Sequence, residues 1–449
     1  MEFTRPLLLV VLSISLSGAL SAGTGEVIGT GYAGSVGNTK NIGDASVAGD
    51  AGNAKHTQYP ENMASDTIVS PPRFIHRIGI EGRPGYILPT NPFLEGENEQ
   101  SRPINTTLST HLKYSFQFNP ASRLGQIYRG AYQGIGFAYY TFDSPTEIGN
   151  PTAIYLFQGA TMADIAPRLS LDYEWNFGIS GGWRPYDPET NSYNGMVGSK
   201  LNAYMNANFY FRQILSSRVD LTYGITLTHF SNGNTKFPNA GLNAVDVKAG
   251  LTYNFNRTGN SFPKRTLYGK SLARDFPCHI SYDVVLFGSW RRKGVILNEE
   301  TAIASPERYS VFGFNINPMY NVGYKLRVGA SLDGVYDSSA NVYTEDYIVG
   351  GGYDPGYTFY KPAVNKQLAL GLSARVEYVM PFFDVALGIG ANMLHGGGDL
   401  NGFYQVLALK IKTTRHSFIH IGYNLQNFDT PNYLMLGLGL RLNNQSPRH

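Results

Sequence analysis

The sequence predicts an all-β chain whose antiparallel strands close into a transmembrane barrel. Three observations carry this. Apolar and polar residues alternate strictly over runs of more than ten residues, the polar faces are Asn, Lys, Arg and Asp, and the N-terminus reads as an export signal. Charged residues make up only 15% of the 449-residue chain, whereas Phe, Trp and Tyr reach 13%. Soluble domains carry roughly 25% charged residues, so this surface is not an ordinary hydrated one. The 36 basic and 33 acidic residues leave a formal charge of +3, without the basic excess that nucleic-acid binding needs. Cys278 is the sole cysteine, which excludes a disulfide framework and a Cys-rich zinc site. No cofactor or metal is implied.

At the N-terminus, Pro6 to Leu12 is an apolar run that ends in small residues up to Ala22, the pattern of a signal peptide over residues 1–22. Beyond it no stretch of 18 apolar residues follows, so no spanning helix is expected. Residues 23–72 are Gly, Ala, Ser, Asn and Asp with few aromatics, a flexible leader too poor in apolar area to offset its ordering entropy.

From Arg73 onward strands take over. Leu201, Ala203, Met205, Ala207, Phe209 and Phe211 alternate with Asn202, Tyr204, Asn206, Asn208 and Tyr210, so one face is greasy and the other amide-rich. Val219, Leu221, Tyr223, Ile225 and Leu227 repeat the pattern, as do Leu434, Leu436, Leu438, Leu440 and Leu442. Tyr320 to Leu332 reads as one more strand with a break in phase near Gly323. In lipid every backbone group must pair internally, which favours closed barrels. About eight strands are expected in a half spanning 73–256 and about eight in a half spanning 277–449. Residues 257–276 form a linker. One barrel of about 16 strands and two of about 8 both fit.

One segment carries chemistry. In Thr228-His229-Phe230-Ser231-Asn232-Gly233-Asn234-Thr235-Lys236-Phe237-Pro238-Asn239-Ala240-Gly241-Leu242-Asn243, the outward row Ile225, Leu227 continues into His229 and Ser231. On the next strand the row Val245, Val247, Ala249 extends back to Asn243, whereas Asp246 has lumenal parity. His229, Ser231 and Asn243 are therefore expected on one outer face, where polar groups are costly unless used or interfacial. Ser231 would be the nucleophile, His229 the general base, and Asn243 the group that fixes the imidazole tautomer. Asn232, Asn239 or a loop N–H would stabilise the oxyanion. With strands alternating from a periplasmic start, this seventh strand ends at the extracellular rim. Two weaker patterns, Gly178-Ile179-Ser180-Gly181-Gly182 and His395-Gly396-Gly397-Gly398, read as barrel wall and loop, and His420 as lumenal.

The His-x-Ser-Asn run followed by Lys-x-Pro-Asn-x-Gly resembles the outer-membrane lipid A 3-O-deacylases, also called acyloxyacyl hydrolase-like proteins, which are eight-stranded barrels. The likeness is sharp over 228–243 and diffuse over 74–255, and leaves the second half uncovered. By position it implies His229 as base, Ser231 as nucleophile and Asn239 in the oxyanion hole, with Asn243 where the family has Glu. The implied function is a carboxylic ester hydrolase of the outer membrane that acts on lipopolysaccharide. The His-x-Ser-Asn-Gly run, with Asn243 twelve residues after Ser231, is also similar to outer-membrane phospholipase A, whose substrate is phospholipid. A non-catalytic pore or structural barrel is the third reading.

Overall fold

A computed structural model describes residues 73–120, 122–128, 130–257, 276–296, 302–305, 307–344, 359–427 and 430–445. The signal peptide, the leader and nearly all of the linker expected from the sequence lie outside these residues. The Gly350-Gly351-Gly352 run, which reads as part of a long exposed loop, also lies outside them.

Two closed antiparallel barrels of eight strands each are present, not one of sixteen. The first comprises β1 (Phe74–Ile87), β2 (Thr106–Phe118), β3 (Tyr132–Phe142), β4 (Gly149–Ala166), β5 (Leu169–Trp183), β6 (Leu201–Ile214), β7 (Val219–Ser231) and β8 (Leu242–Asn254). The second comprises β9 (His279–Arg291), β10 (Tyr309–Asn321), β11 (Leu326–Asp337), β12 (Leu368–Val379), β13 (Phe383–His395), β14 (Phe403–Lys412), β15 (Ser417–Gln426) and β16 (Thr430–Leu442). Each ring closes on its own first strand. Ile80 pairs with Leu251 across the β1–β8 seam, and Gly288 with Leu436 across the β9–β16 seam.

The expected strand from Tyr320 to Leu332 is two strands: β10 ends at Asn321 and β11 begins at Leu326. The phase break is a hairpin turn, in which Val322 N–H donates to Leu326 O at 3.0 Å.

Alternation sets what faces lipid and what faces the lumen. Ile80, Leu112, Ile135, Ile154, Ile225 and Val247 are exposed on the first barrel, and Leu286, Phe312, Leu372 and Leu438 on the second. The lumens are packed with buried ions. In the first, Glu81 receives Arg83 at 2.6 Å, Lys113 at 3.0 Å and Lys248 at 3.1 Å, and Lys113 also reaches Glu174 at 2.5 Å. In the second, Asp283 and Glu377 are bridged by Arg327, Lys410 and Arg441 at 2.5–2.9 Å. Such pairs persist in a low-dielectric interior only when each charge is matched, and here the matching fills the bore. His420 is lumenal and buried.

The two ends of the barrels differ. One carries short turns at 167–168, 215–218, 322–325, 380–382 and 413–416, together with one longer connection, 119–131. The other carries the long connections 88–105, 184–200, 232–241, 292–308 and 338–367. In barrels of this kind short turns lie on the periplasmic side and longer loops on the extracellular side. At the long-loop end an aromatic and aliphatic plug closes the first lumen: Phe230 packs against Trp183, Tyr140 and Tyr204 at centroid distances of 4.9, 5.1 and 5.3 Å. Phe93 and Leu94, from the short helix α1 (Pro92–Glu95) in the β1–β2 connection, are buried in the same cluster.

The barrels also touch each other. At the short-turn end Phe382 stacks on Phe118 and Tyr173 Oη donates to Tyr378 Oη at 3.0 Å. At the long-loop end Arg292 N–H donates to Asn234 O at 3.2 Å.

Candidate active site

Strand β7 delivers the chemistry at its outer end. Its residues alternate so that Phe230 turns inward to the plug while His229 and Ser231 turn outward. In the β6–β7 ladder Met205 stands opposite His229 and Ala203 opposite Ser231. In the β7–β8 ladder Asn243 stands opposite His229. Cross-strand neighbours in such a ladder have Cβ atoms roughly 5 Å apart, which lets the two side chains meet. They do: His229 Nδ1 donates to Asn243 Oδ1 at 2.7 Å. Asn243 is 2% exposed, and its backbone carbonyl accepts from Leu88 N–H at 2.8 Å, so the orienting residue is fixed from both ends.

The connection 232–241 folds back over this pair. Gly241 adopts φ +74°, and a Cβ built on it would lie 3.0 Å from Phe230 O, 3.2 Å from His229 Cε1 and 3.7 Å from Ser231 Cβ. Only glycine brings the loop backbone this near at that dihedral. Asn239 Oδ1 accepts from Asn232 N–H at 2.8 Å, which leaves its Nδ2 without a partner among the described residues. Asn232 Nδ2 donates to Lys236 O at 2.9 Å and Asn232 N–H donates to Asn239 Oδ1, so both bonds hold the loop. The β5–β6 connection buttresses from behind, with Met196 O accepting from Gly241 N–H at 3.3 Å.

Not every expected contact is made. Among the described residues the Ser231 hydroxyl has no hydrogen-bond partner, so Oγ and the His229 ring share a face without being joined. In a strand, residues i and i+2 are roughly 7 Å apart at Cα, a span that closes by side-chain rotation. Such bonds commonly tighten only when substrate is bound. Ser180 of the Gly178–Gly182 run is lumenal, donating to Asn202 O and accepting from Trp183 Nε1. His395 closes β13 and accepts Gly397 N–H at 3.0 Å. Among the described residues no group of three or more His, Cys, Asp or Glu is placed to hold a metal ion.

Gly241 was present in the sequence motif as a spacer, and its dihedral and proximity give it a structural reason. The second barrel's approach to the loop had no signal in the sequence. A Cβ on Gly233 would lie 3.6 Å from Leu434 Cβ and 3.7 Å from Tyr423 Cε2, contacts that join residues far apart in the chain.

Residues 108–252 match the family model for lipid A 3-O-deacylase (PagL), and residues 280–444 match that for the acyloxyacyl hydrolase C-terminal domain. Together these matches cover about two-thirds of the chain, one per barrel. The chain belongs to the lipid A 3-O-deacylase family. As a member of this family it is an outer-membrane β-barrel protein of the lipid A deacylase class, and the match over 280–444 brings the second half into the same family. No curated protein matches the chain. Similar solved structures include the outer-membrane enzyme PagL, at 11% identity with 38% of this chain and 97% of that chain covered and a TM-score of 0.25. Neisserial surface protein A is similar at 8% identity, with 40% and 97% covered and a TM-score of 0.27. The Acinetobacter baumannii outer-membrane protein Omp33 is similar at 8% identity, with 82% and 98% covered and a TM-score of 0.16.

Proposed function

We propose that the protein is an outer-membrane serine esterase that removes an ester-linked acyl chain from lipid A, with Ser231 as nucleophile, His229 as base and Asn243 as the residue that orients it. The observation that carries the reading is the 2.7 Å bond from His229 Nδ1 to Asn243 Oδ1, on the outer face that also presents Ser231. With its proton committed to Asn243, the imidazole presents the Nε2 lone pair, the atom a general base needs. Ser231 Oγ bonds to the ester carbonyl carbon while its proton passes to Nε2. Collapse of the tetrahedral adduct expels the sugar hydroxyl, which takes that proton back. Water then repeats the sequence on the acyl-Ser231 ester and releases the fatty acid. Asn239 Nδ2 is the donor for the oxyanion, and Asn232 holds the loop that aims it.

Asn243 supplies orientation without charge. An amide fixes the tautomer but adds no anion beside the imidazolium that forms, so turnover is slower than with a carboxylate there. The test is fatty-acid release from lipopolysaccharide and from phosphatidylethanolamine by the refolded protein, followed by mass spectrometry beside Ser231→Ala. Release from lipopolysaccharide that Ser231→Ala abolishes is expected. Release that persists in Ser231→Ala sinks the assignment, and Ser231-dependent release from the phospholipid alone changes the substrate class.

A further inference from the structure

The covered part of the second barrel's wall lies against the candidate site. On β16 the outward row runs Leu434, Leu436, Leu438, Leu440. The last three are 39%, 69% and 58% exposed to lipid, whereas Leu434 is half-buried. On β15 Ile419 and Ile421 are each 38% exposed and Tyr423 is half-buried. Tyr423 and Leu434 are register partners across the β15–β16 ladder. What they meet is Gly233, two residues beyond Ser231, and Arg292 N–H fastens the next residue, Asn234, at 3.2 Å. The second barrel therefore sits at the depth of Ser231.

The first barrel's side of this junction suits a hydrocarbon. Opposite Ser231, His229, Leu227 and Ile225 on β6 stand Ala203, Met205, Ala207 and Phe209, so the outward surface running from Ser231 toward the membrane centre is apolar on both strands. An acyl chain whose carbonyl is at Ser231 has one apolar direction open to it, down this surface toward the membrane centre. Tyr423 and Leu434 pack on Gly233, two residues along the chain from the start of that path.

Resting on the esterase reading above, we propose that the second barrel is half of the substrate site: Tyr423 and Leu434 form the opposing wall of the cleft that holds the long acyl chain of the ester cleaved at Ser231. The role is selection by chain length through apolar contact. The wall touches the chain and not the reacting atoms, so it tightens binding of long esters and leaves the chemical step unaltered.

The experiment uses the full chain in detergent with two probes, the nitrophenyl esters of butyrate and of palmitate. Leu434→Trp obstructs the cleft and Tyr423→Ala removes its aromatic wall. Each is expected to lower kcat/KM for palmitate about tenfold, through KM, and to leave butyrate within about twofold. Leu438→Trp, on the same row at a lipid-exposed position, is expected to change neither. Equal losses on both esters would mean that the contact only holds the loop in shape, and no loss on either would mean that the chain runs elsewhere; both overturn the proposal. Butyrate hydrolysis that survives Ser231→Ala overturns the esterase reading instead, and the two failures are read from different variants.

Discussion

Phe230 and Trp183 meet edge-on with ring centroids 4.9 Å apart, inside the barrel and directly behind the outward-facing His229 and Ser231. The strand that presents the chemistry is thus pinned from its inner side by a packed aromatic cluster. A site built on such an element holds its geometry better than one carried by loops alone. Phe230→Ala is expected to destabilise the first barrel by about 3 kcal/mol or more, since a buried aromatic is lost and the plug relaxes only in part. Urea unfolding in detergent, followed by tryptophan fluorescence, reads this directly; an unchanged midpoint would mean that the plug does not support the strand.

Asn243→Asp tests the orienting residue with almost no change in shape. A carboxylate beside the His229 ring favours the imidazolium. The base then stays protonated to higher pH, and activity, which needs the neutral ring, begins at higher pH. The acid limb of the pH–rate profile is expected to move up by roughly one unit or more, with a higher plateau, relative to the wild type. A limb that stays in place would separate Asn243 from the working base.

Gly241→Ala is expected to lower hydrolysis at least about 100-fold while the barrel still forms, because the new methyl group presses on His229 and Phe230 O at a dihedral that L-residues rarely adopt. Gly195, with open space where a Cβ would lie, is the matched control, and Gly195→Ala leaves activity unchanged. The pair is read by ester hydrolysis on protein whose heat-modifiable gel migration shows a folded barrel.

The lumens predict silence in a planar bilayer. Buried ion pairs occupy both bores, so reconstituted protein is expected to show no stable ohmic conductance. Glu81→Gln leaves Arg83, Lys113 and Lys248 sharing one fewer anion, and such an uncompensated set is expected to lower stability by about 3–5 kcal/mol. Steady conductance steps from the wild type would contradict the filled bore.

Much of this was legible in the chain because strand parity is a local property. The period of two placed Leu227, His229 and Ser231 on the outer face and Thr226, Thr228 and Asp246 on the inner, and burial follows the same division. Ring number was not legible, since Ile80 meets Leu251 and Gly288 meets Leu436 through pairings that no local pattern encodes. The turn at Val322–Lys325 showed in the sequence only as a break in phase near Gly323, because Val322 and Tyr324 keep the apolar character of a strand. The bond from Asn232 Nδ2 to Lys236 O was not legible either, since only the folded loop brings the two together.

The two seams have a consequence for assembly in the membrane. Before β1 meets β8, the first ring has two raw edges of unpaired peptide groups, and the second has its own two until β9 meets β16. Sealing one does nothing for the other. A single chain therefore completes two separate closures in lipid. A lesion confined to β16 would leave one ring gaping beside a finished neighbour, a half-built product that carries Ser231 and His229 but lacks the surface at Leu434.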